Sequence, residues 1–428
     1  MSLAAELDKS TRAPGVTAID RVLSPDDMAA LLADCTAILA KEPTLVEMRL
    51  DPAEGVRVSV VGDTHGQFHD VLRLMERAGT PAPGNMLVFN GDFIDRGAWG
   101  VETLLMLAAW KVAAPSRALL LRGNHESVYC ASTYGFLGEM EAKLGPKAAK
   151  RLFVCCKRLF SSLPLGLTVN GATLVVHGGL FRKPPKAVKG KGKKRKRRAP
   201  EPWEEEGEVE LGSLADLRKS RKGGMDPDGL GGAALATDVL WSDPTTSEGL
   251  VVNDSRGVGL LFGADATERF LRENGLRLIV RSHEGPDARD SREDGMAGMG
   301  DGWTLDHDVP GVGKLVTVFS APDYPQFQDT EKRFNNRGAV CVLRPETGYC
   351  DPSFVQFEAV LPRPEARPYY DMDVPGSDDE LDVDAMDNKS QATSLATSQA
   401  TGDAGPDGGD EVGSGAAAES PAPGPSLV

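Results

Sequence analysis

The sequence predicts a layered α/β protein whose chemistry gathers at the ends of buried strands. Three observations predict it. Seven short runs, rich in β-branched residues or leucine and mostly apolar on both faces, have strand length: 56–61, 86–89, 118–121, 173–176, 276–280, 315–319 and 339–343. Helical spacing lies between several of them, over residues 67–78, 100–112 and 146–161. Polar, glycine-flanked residues follow six of the seven runs, which is where α/β proteins build sites.

Before the first strand, residues 24–49 read as a helix. Ser24-Pro25-Asp26-Asp27 offers a cap, a first-turn proline and acids, and Met28, Leu31, Leu32, Cys35, Ile38 and Leu39 recur at helical spacing. Residues 1–55 are therefore expected to form a helical extension packed on a catalytic domain spanning 56–362. Residues 182–238 read as a flexible surface insertion, because 182–198 carries 11 bases and no acids and 201–210 then carries 6 acids. Residues 363–428 read as a disordered acidic tail with too little apolar surface to offset its ordering entropy.

Bulk composition fits this picture and narrows the function classes. Over 428 residues, 40% hydrophobic and 26% charged content describes an ordinary globular protein with a substantial core. The net charge of −15 is uneven: 363–428 holds 14 acids against 3 bases, leaving only −4 for the rest. That gives no strong case for nucleic-acid binding. Six cysteines without a CxxC pair read as reduced thiols, the N-terminus MSLAAELDKS lacks the features of a secretory leader, and no apolar run is long enough for a membrane span. A soluble nuclear or cytoplasmic protein is expected.

The motifs carry the chemistry. In order they are Gly62-Asp63-Thr64-His65-Gly66, Asn90-Gly91-Asp92-Phe93-Ile94-Asp95-Arg96-Gly97, Arg122-Gly123-Asn124-His125-Glu126, His177-Gly178-Gly179, Ser282-His283-Glu284 and Ser320-Ala321-Pro322-Asp323-Tyr324-Pro325. Four of the chain's six histidines fall in them, beside Asp63, Asp92 and Asn124. His69 and His307 lack that setting and read as structural. Imidazole and oxygen donors without thiolate suit Mn²⁺, Fe or Zn²⁺. Two such ions about 3.5–4 Å apart need a shared anionic ligand, and Asp92 is the natural bridge. One ion would take Asp63, His65 and Asp92; the other would take Asp92, Asn124, His177 and His283.

GDTHG, GDFIDRG, RGNHE and HGGL, in this order and spacing, resemble the phosphoprotein phosphatase family of serine/threonine phosphatases. The resemblance runs from about residue 56 to about 359, the insertion excepted, and takes in WSDP, residues 253–257 and SAPDY. HGGLFR with its basic insert, RSHEGPDAR, SAPDYPQF and PRPEARPYYD are similar to the plant and algal type 7 phosphatases. The resemblance implies a calcineurin-like metallophosphoesterase fold, a sandwich of mixed sheets flanked by helices. It implies hydrolysis of phosphoserine or phosphothreonine in proteins by direct in-line attack of water. His125 would then be the general acid, Asp95 its carboxylate partner, and Arg96 and Arg256 the clamps on the phosphoryl oxygens. Asn124 and Tyr324 would complete the substrate site, with Tyr324 at its mouth. The chain departs from most relatives at Asp323 and Pro325, where asparagine and cysteine are usual, and from many at Glu284, where glutamine is usual.

Competing readings are a small-phosphoester or dinucleoside polyphosphate hydrolase on the same scaffold, and a catalytically silent scaffold. The compact run Lys193-Lys194-Arg195-Lys196-Arg197-Arg198 fits a nuclear localisation signal read by an import receptor, a contact with nucleic acid or an acidic partner, or a solvated loop. Calmodulin is the weaker partner: glycines and prolines oppose a long basic helix in the insert, although residues 211–222 suit a short one.

Overall fold

The computed structural model describes residues 3–12, 19–184, 209–227, 233–327 and 333–371. Two sheets form its centre. Across the larger, the strands are Leu45–Met48, Gly166–Val169, Thr173–Val176, Leu278–Arg281, Gly313–Val318 and Trp303–Val309. Across the smaller they are Ser353–Phe357, Gly338–Leu343, Arg57–Val61, Asn85–Asn90 and Ala118–Leu121. Both are mixed: Arg57–Val61, Asn85–Asn90 and Ala118–Leu121 run parallel, and Gly338–Leu343 is antiparallel to its neighbours.

The strands read as continuously apolar because they feed different cores on their two faces. In the smaller sheet, Val58, Val60, Met86, Val88, Leu119 and Leu121 face Leu167, Val175, Leu278, Val280, Val316 and Val318 of the larger. The alternate residues Val61, Leu87, Phe89 and Leu120 pack outward with helices Pro25–Leu39, Phe68–Ala78, Gly100–Ala113, Phe136–Leu144 and Pro146–Ser162. On the other outer face, Leu174, Val176, Ile279 and Leu315 meet Val239, Leu240, Phe262 and Phe270. Each fully buried aliphatic side chain contributes about 1.5–3 kcal/mol relative to exposure. The period-two division of side chains fixes register, because a one-residue slip would exchange the cores.

All seven predicted strands form, with ends shifted by at most two residues. The helix expected over 24–49 stops at Leu39, after a capping box between Ser24 and Asp27 starts it. Pro43 disfavours helical backbone at Glu42, and Leu45–Met48 then becomes an edge strand, so the N-terminal extension is not wholly helical. The flexible insertion expected over 182–238 is corrected in its described part. Arg182 pairs with Asp238, Leu217 is buried, and the Arg122 guanidinium donates to the carbonyls of Lys222, Gly224 and Met225. The helix there, Leu214–Lys219, is six residues long and buries Leu217, so it offers no long amphipathic face. The basic run at 193–198 lies outside the described residues.

The tail expected from 363 is likewise ordered through Asp371. Arg363 donates to Asp70 Oδ2 (3.1 Å) and to Pro322 O (2.7 Å), and Tyr369 and Tyr370 are half-buried. Residues 372–428 lie outside the described residues. None of the described helices is long and apolar enough to cross a membrane.

Candidate active site

The expected site residues come from both sheets and meet where the strands end. From the smaller sheet come Asp63 and His65 after Arg57–Val61, Asp92 after Asn85–Asn90, and Asn124 and His125 after Ala118–Leu121. From the larger come His177 after Thr173–Val176 and His283 after Leu278–Arg281. The sheets are stitched at this edge. Ser320 N–H donates to Asp63 O (3.0 Å), and Asn90 Nδ2 donates to Val176 O (2.7 Å) and Ser282 Oγ (2.9 Å).

Backbone strain collects here. Among the described residues, nine non-glycine residues have positive φ, and five of them are expected site residues: His65, Asp92, Asp95, Arg96 and His283. Non-glycine residues adopt this region only where surrounding contacts over-determine it. Gly123 shows how tight the packing is: a Cβ there would fall 2.1 Å from Asp92 Oδ1.

Acceptors converge at the centre. His177 Nδ1 lies 2.8 Å from Asn90 O, so Nδ1 carries the proton and Nε2 presents its lone pair. That Nε2 is 2.8 Å from Asn124 Oδ1 and 3.3 Å from Asp92 Oδ2. His283 Nδ1 is 3.1 Å from the same Asn124 oxygen, and its Nε2 has no hydrogen-bond partner among the described residues. Three acceptors facing one another without a proton between them repel unless a cation lies among them. His65 repeats the pattern, with Nδ1 3.2 Å from Ile94 O and Nε2 3.9 Å from Asp92 Oδ2. Burial pushes the pKa of His65, His177 and His283 down, which keeps them neutral and able to ligate.

Two buried groups have metal-binding geometry, His65 with Asp92 and His125, and Asp92 with His177 and His283. Both share Asp92, so the donor set fits a pair of ions. Asp63 stands one step aside: its carboxylate accepts His283 N–H (3.1–3.2 Å) and lies 3.8 Å from His177 Nδ1. His125, expected outside the ligand set, lies close enough to His65 and Asp92 to enter it, and its Nδ1 is 2.8 Å from Asp95 Oδ2. Asp95 also accepts Phe136 N–H (2.9 Å), and burial pushes its carboxyl pKa up.

Arg96 and Arg256, the expected clamps, bear on this centre electrostatically: their charges help lower the pKa of His65 and of His283. Arg96 lies over the Tyr134 ring, 4.4 Å from its centroid. Arg256 Nε donates to Asp243 Oδ2 (2.5 Å) beside a cavity of about 530 Å³ lined by Asn253, Glu284, Arg292 and Asp294. Tyr324 is buried, at 1% exposure, and stacks 5.0 Å from His65. It therefore lies beside an expected metal ligand, with its ring enclosed. His69 and His307 are structural as expected, bound to Thr11 Oγ1 (2.8 Å) and Thr267 Oγ1 (2.9 Å).

Several residues went unassigned in the sequence. Glu126 accepts the backbone N–H groups of Asp92 (2.8 Å), Phe93 (2.9 Å) and Gly123 (2.9 Å), and so braces the loop that carries Asp92. Its place in RGNHE was the available signal. Asp243 joins Arg256 to Arg281 (2.9 Å), and Arg281 in turn pairs with Glu284 (2.6 Å). Glu284 also meets Arg289 (2.9 Å) and Arg292 (2.6 Å), which explains a charged residue where many relatives have glutamine. Burial opposes its ionisation, but Arg289 and Arg281 hold its pKa below the ordinary value. Asp323 is explained likewise, accepting Arg333 Nε (2.7 Å) with Arg363 NH1 at 3.5 Å.

Comparison with known proteins agrees with this geometry. The profile of the calcineurin-like phosphoesterase family matches residues 56–287. Serine/threonine-protein phosphatase 7 of Arabidopsis thaliana is 49% identical over 361 residues, covering 83% of this chain and 85% of that protein. This bears out the type 7 resemblance. Serine/threonine-protein phosphatase 5 of Homo sapiens is 35% identical, over 79% of this chain and 55% of its own length. A solved serine/threonine phosphatase from Saccharomyces cerevisiae, described as similar to human phosphatase PP5, superposes with a TM-score of 0.63 at 30% identity, covering 86% of this chain and 99% of that one. The chain belongs to the calcineurin-like phosphoesterases and, within them, to the serine/threonine-protein phosphatase family.

Proposed function

We propose that this phosphatase removes phosphate from phosphoserine and phosphothreonine in proteins by a single in-line displacement, with a pair of metal ions at the Asp92 centre. The convergence of Asp92, Asn124 and His177 acceptors without protons between them carries the reading. When bound, Mn²⁺, Fe or Zn²⁺ would lower the pKa of a shared water and offset phosphoryl charge. Asp63, His65, Asp92, Asn124, His177 and His283 would hold the ions.

The chain's own residues then do the rest. Arg96 and Arg256 bind the non-bridging phosphoryl oxygens, where planar, permanently charged forks suit a tetrahedral dianion. Arg256 is oriented for this by Asp243. As hydroxide, its proton already released to solvent, bonds to phosphorus and the bond to the serine or threonine oxygen breaks, His125 Nε2 gives that leaving oxygen a proton. Asp95 accepts Nδ1–H and stabilises the imidazolium. This contact is the reason to keep His125 as the acid although it lies within reach of the ions.

Metal analysis of purified protein, with phosphopeptide and nucleotide hydrolysis before and after chelation, tests the reading. Expected are about two ions per chain, phosphopeptide turnover lost on chelation and restored by Mn²⁺, and far slower nucleotide turnover. Activity indifferent to chelation would overturn it. The run at 193–198 supports nuclear import through an import receptor, for a protein of the nucleus, the cytoplasm or both; a tagged variant with these six residues neutralised should lose any nuclear accumulation.

A further inference from the structure

We infer that Tyr370, on the segment following the last strand, is a positioning residue of the phosphatase reaction that holds Arg96 in its working orientation. The inference rests on Arg96 acting as a phosphoryl clamp. Arg96 sits in a left-handed stretch, φ 65°, and its guanidinium carbon lies 4.4 Å from the Tyr134 centroid and 5.1 Å from that of Tyr370. A flexible arginine is thus held between two aromatic rings, one from the catalytic loops and one brought from beyond residue 360. The π faces of the two rings attract the guanidinium cation and restrict where it can swing.

The delivery of Tyr370 is built into the chain. Val360 N–H donates to Asp70 Oδ1 (2.7 Å), and Arg363 grips Asp70 Oδ2 (3.1 Å) and Pro322 O (2.7 Å). The segment then reaches two glycines. Gly135 precedes helix Phe136–Leu144, and a Cβ there would lie 3.1 Å from Tyr370 Cδ1. Gly138 lies inside that helix, where glycine is disfavoured, and a Cβ there would fall 2.5 Å from Tyr369 O. The helix gives up propensity where the Tyr369–Tyr370 backbone must lie close against it.

The test uses the full chain and measures kcat and KM on a phosphoserine peptide and on p-nitrophenyl phosphate, with melting temperature as a fold control. Tyr370→Leu is expected to lower kcat/KM on both substrates by roughly 2- to 30-fold, the range carried by a cation–π contact. Tyr370→Phe should recover most of that loss. Gly138→Ala, which displaces the segment without touching either ring, should reproduce it while leaving the melting temperature level or raised. In an Arg96→Ala background, Tyr370→Leu should have no further effect. Higher activity in Tyr370→Leu would make the segment an obstructing cover and overturn the inference, as would unchanged activity or an equal loss in the Arg96→Ala background. Wild-type activity in Arg96→Ala alone would instead refute the clamp on which the inference rests.

Discussion

Glu126 offers a sharp test of how Asp92 is held. Its carboxylate is fully buried and accepts three backbone N–H groups, from Asp92, Phe93 and Gly123, at 2.8–2.9 Å. Replacing it by alanine strands three buried donors, each worth about 1–3 kcal/mol, for a loss of roughly 3–9 kcal/mol. That is comparable with the whole stability of many domains, so Glu126→Ala should fold poorly. Glu126→Gln is the finer probe. The amide oxygen can serve one or two donors while its NH₂ opposes another, for a loss of about 1–3 kcal/mol. Denaturant midpoints should fall accordingly at unchanged slope. Because the bonded amides include that of Asp92 itself, the ions should also be held less tightly, raising the Mn²⁺ concentration needed for half-maximal activity. A Glu126→Gln protein matching wild type in both midpoint and Mn²⁺ requirement would refute the assignment of Glu126 as the brace.

Three further outcomes follow from the geometry. His125→Asn should lower kcat about 10²–10⁴-fold while metal content stays near two per chain, whereas Asp92→Asn should lose the metal itself, as read by elemental analysis. Arg256→Ala should lower kcat/KM by about 2–4 kcal/mol of transition-state stabilisation. Arg256→Lys should recover little, because a point charge cannot both pair with Asp243 and fork onto phosphate. His69 should contribute to acid lability: burial, then Arg12, depresses its pKa from 6.5 to about 4. A depressed folded pKa gives stability that is full above pH 6.5 and is lost as pH falls toward 4, at most about 3 kcal/mol. Denaturant midpoints of His69→Gln should fall less over that window than those of wild type.

Much of the fold could be read because most strands are buried on both faces and show as unbroken apolar runs. Leu45–Met48 escaped because it is short, follows a strongly periodic helix, and becomes a strand only by pairing with residues more than a hundred positions away. The residues that converge on Asp92 could be picked out because polar residues directly after buried strands have few structural reasons to be there. The Asp243, Arg281 and Glu284 network could not, since charged residues look alike until the fold sets Asp243 against an arginine 38 residues distant. Arg363, Tyr369 and Tyr370 were lost in the average of a long acidic segment, although their own side chains anchor them.

The donors around Asp92 are divided, with Asp63, His65, Asp92 and Asn124 rooted in one sheet and His177 and His283 in the other. Any occupant that grips both sets is a rivet through the sandwich, and sliding one layer past its neighbour would shear it. Resistance to unfolding would then grow with the logarithm of the free ion concentration, tying the lifetime of the whole molecule to the supply of its inorganic partner.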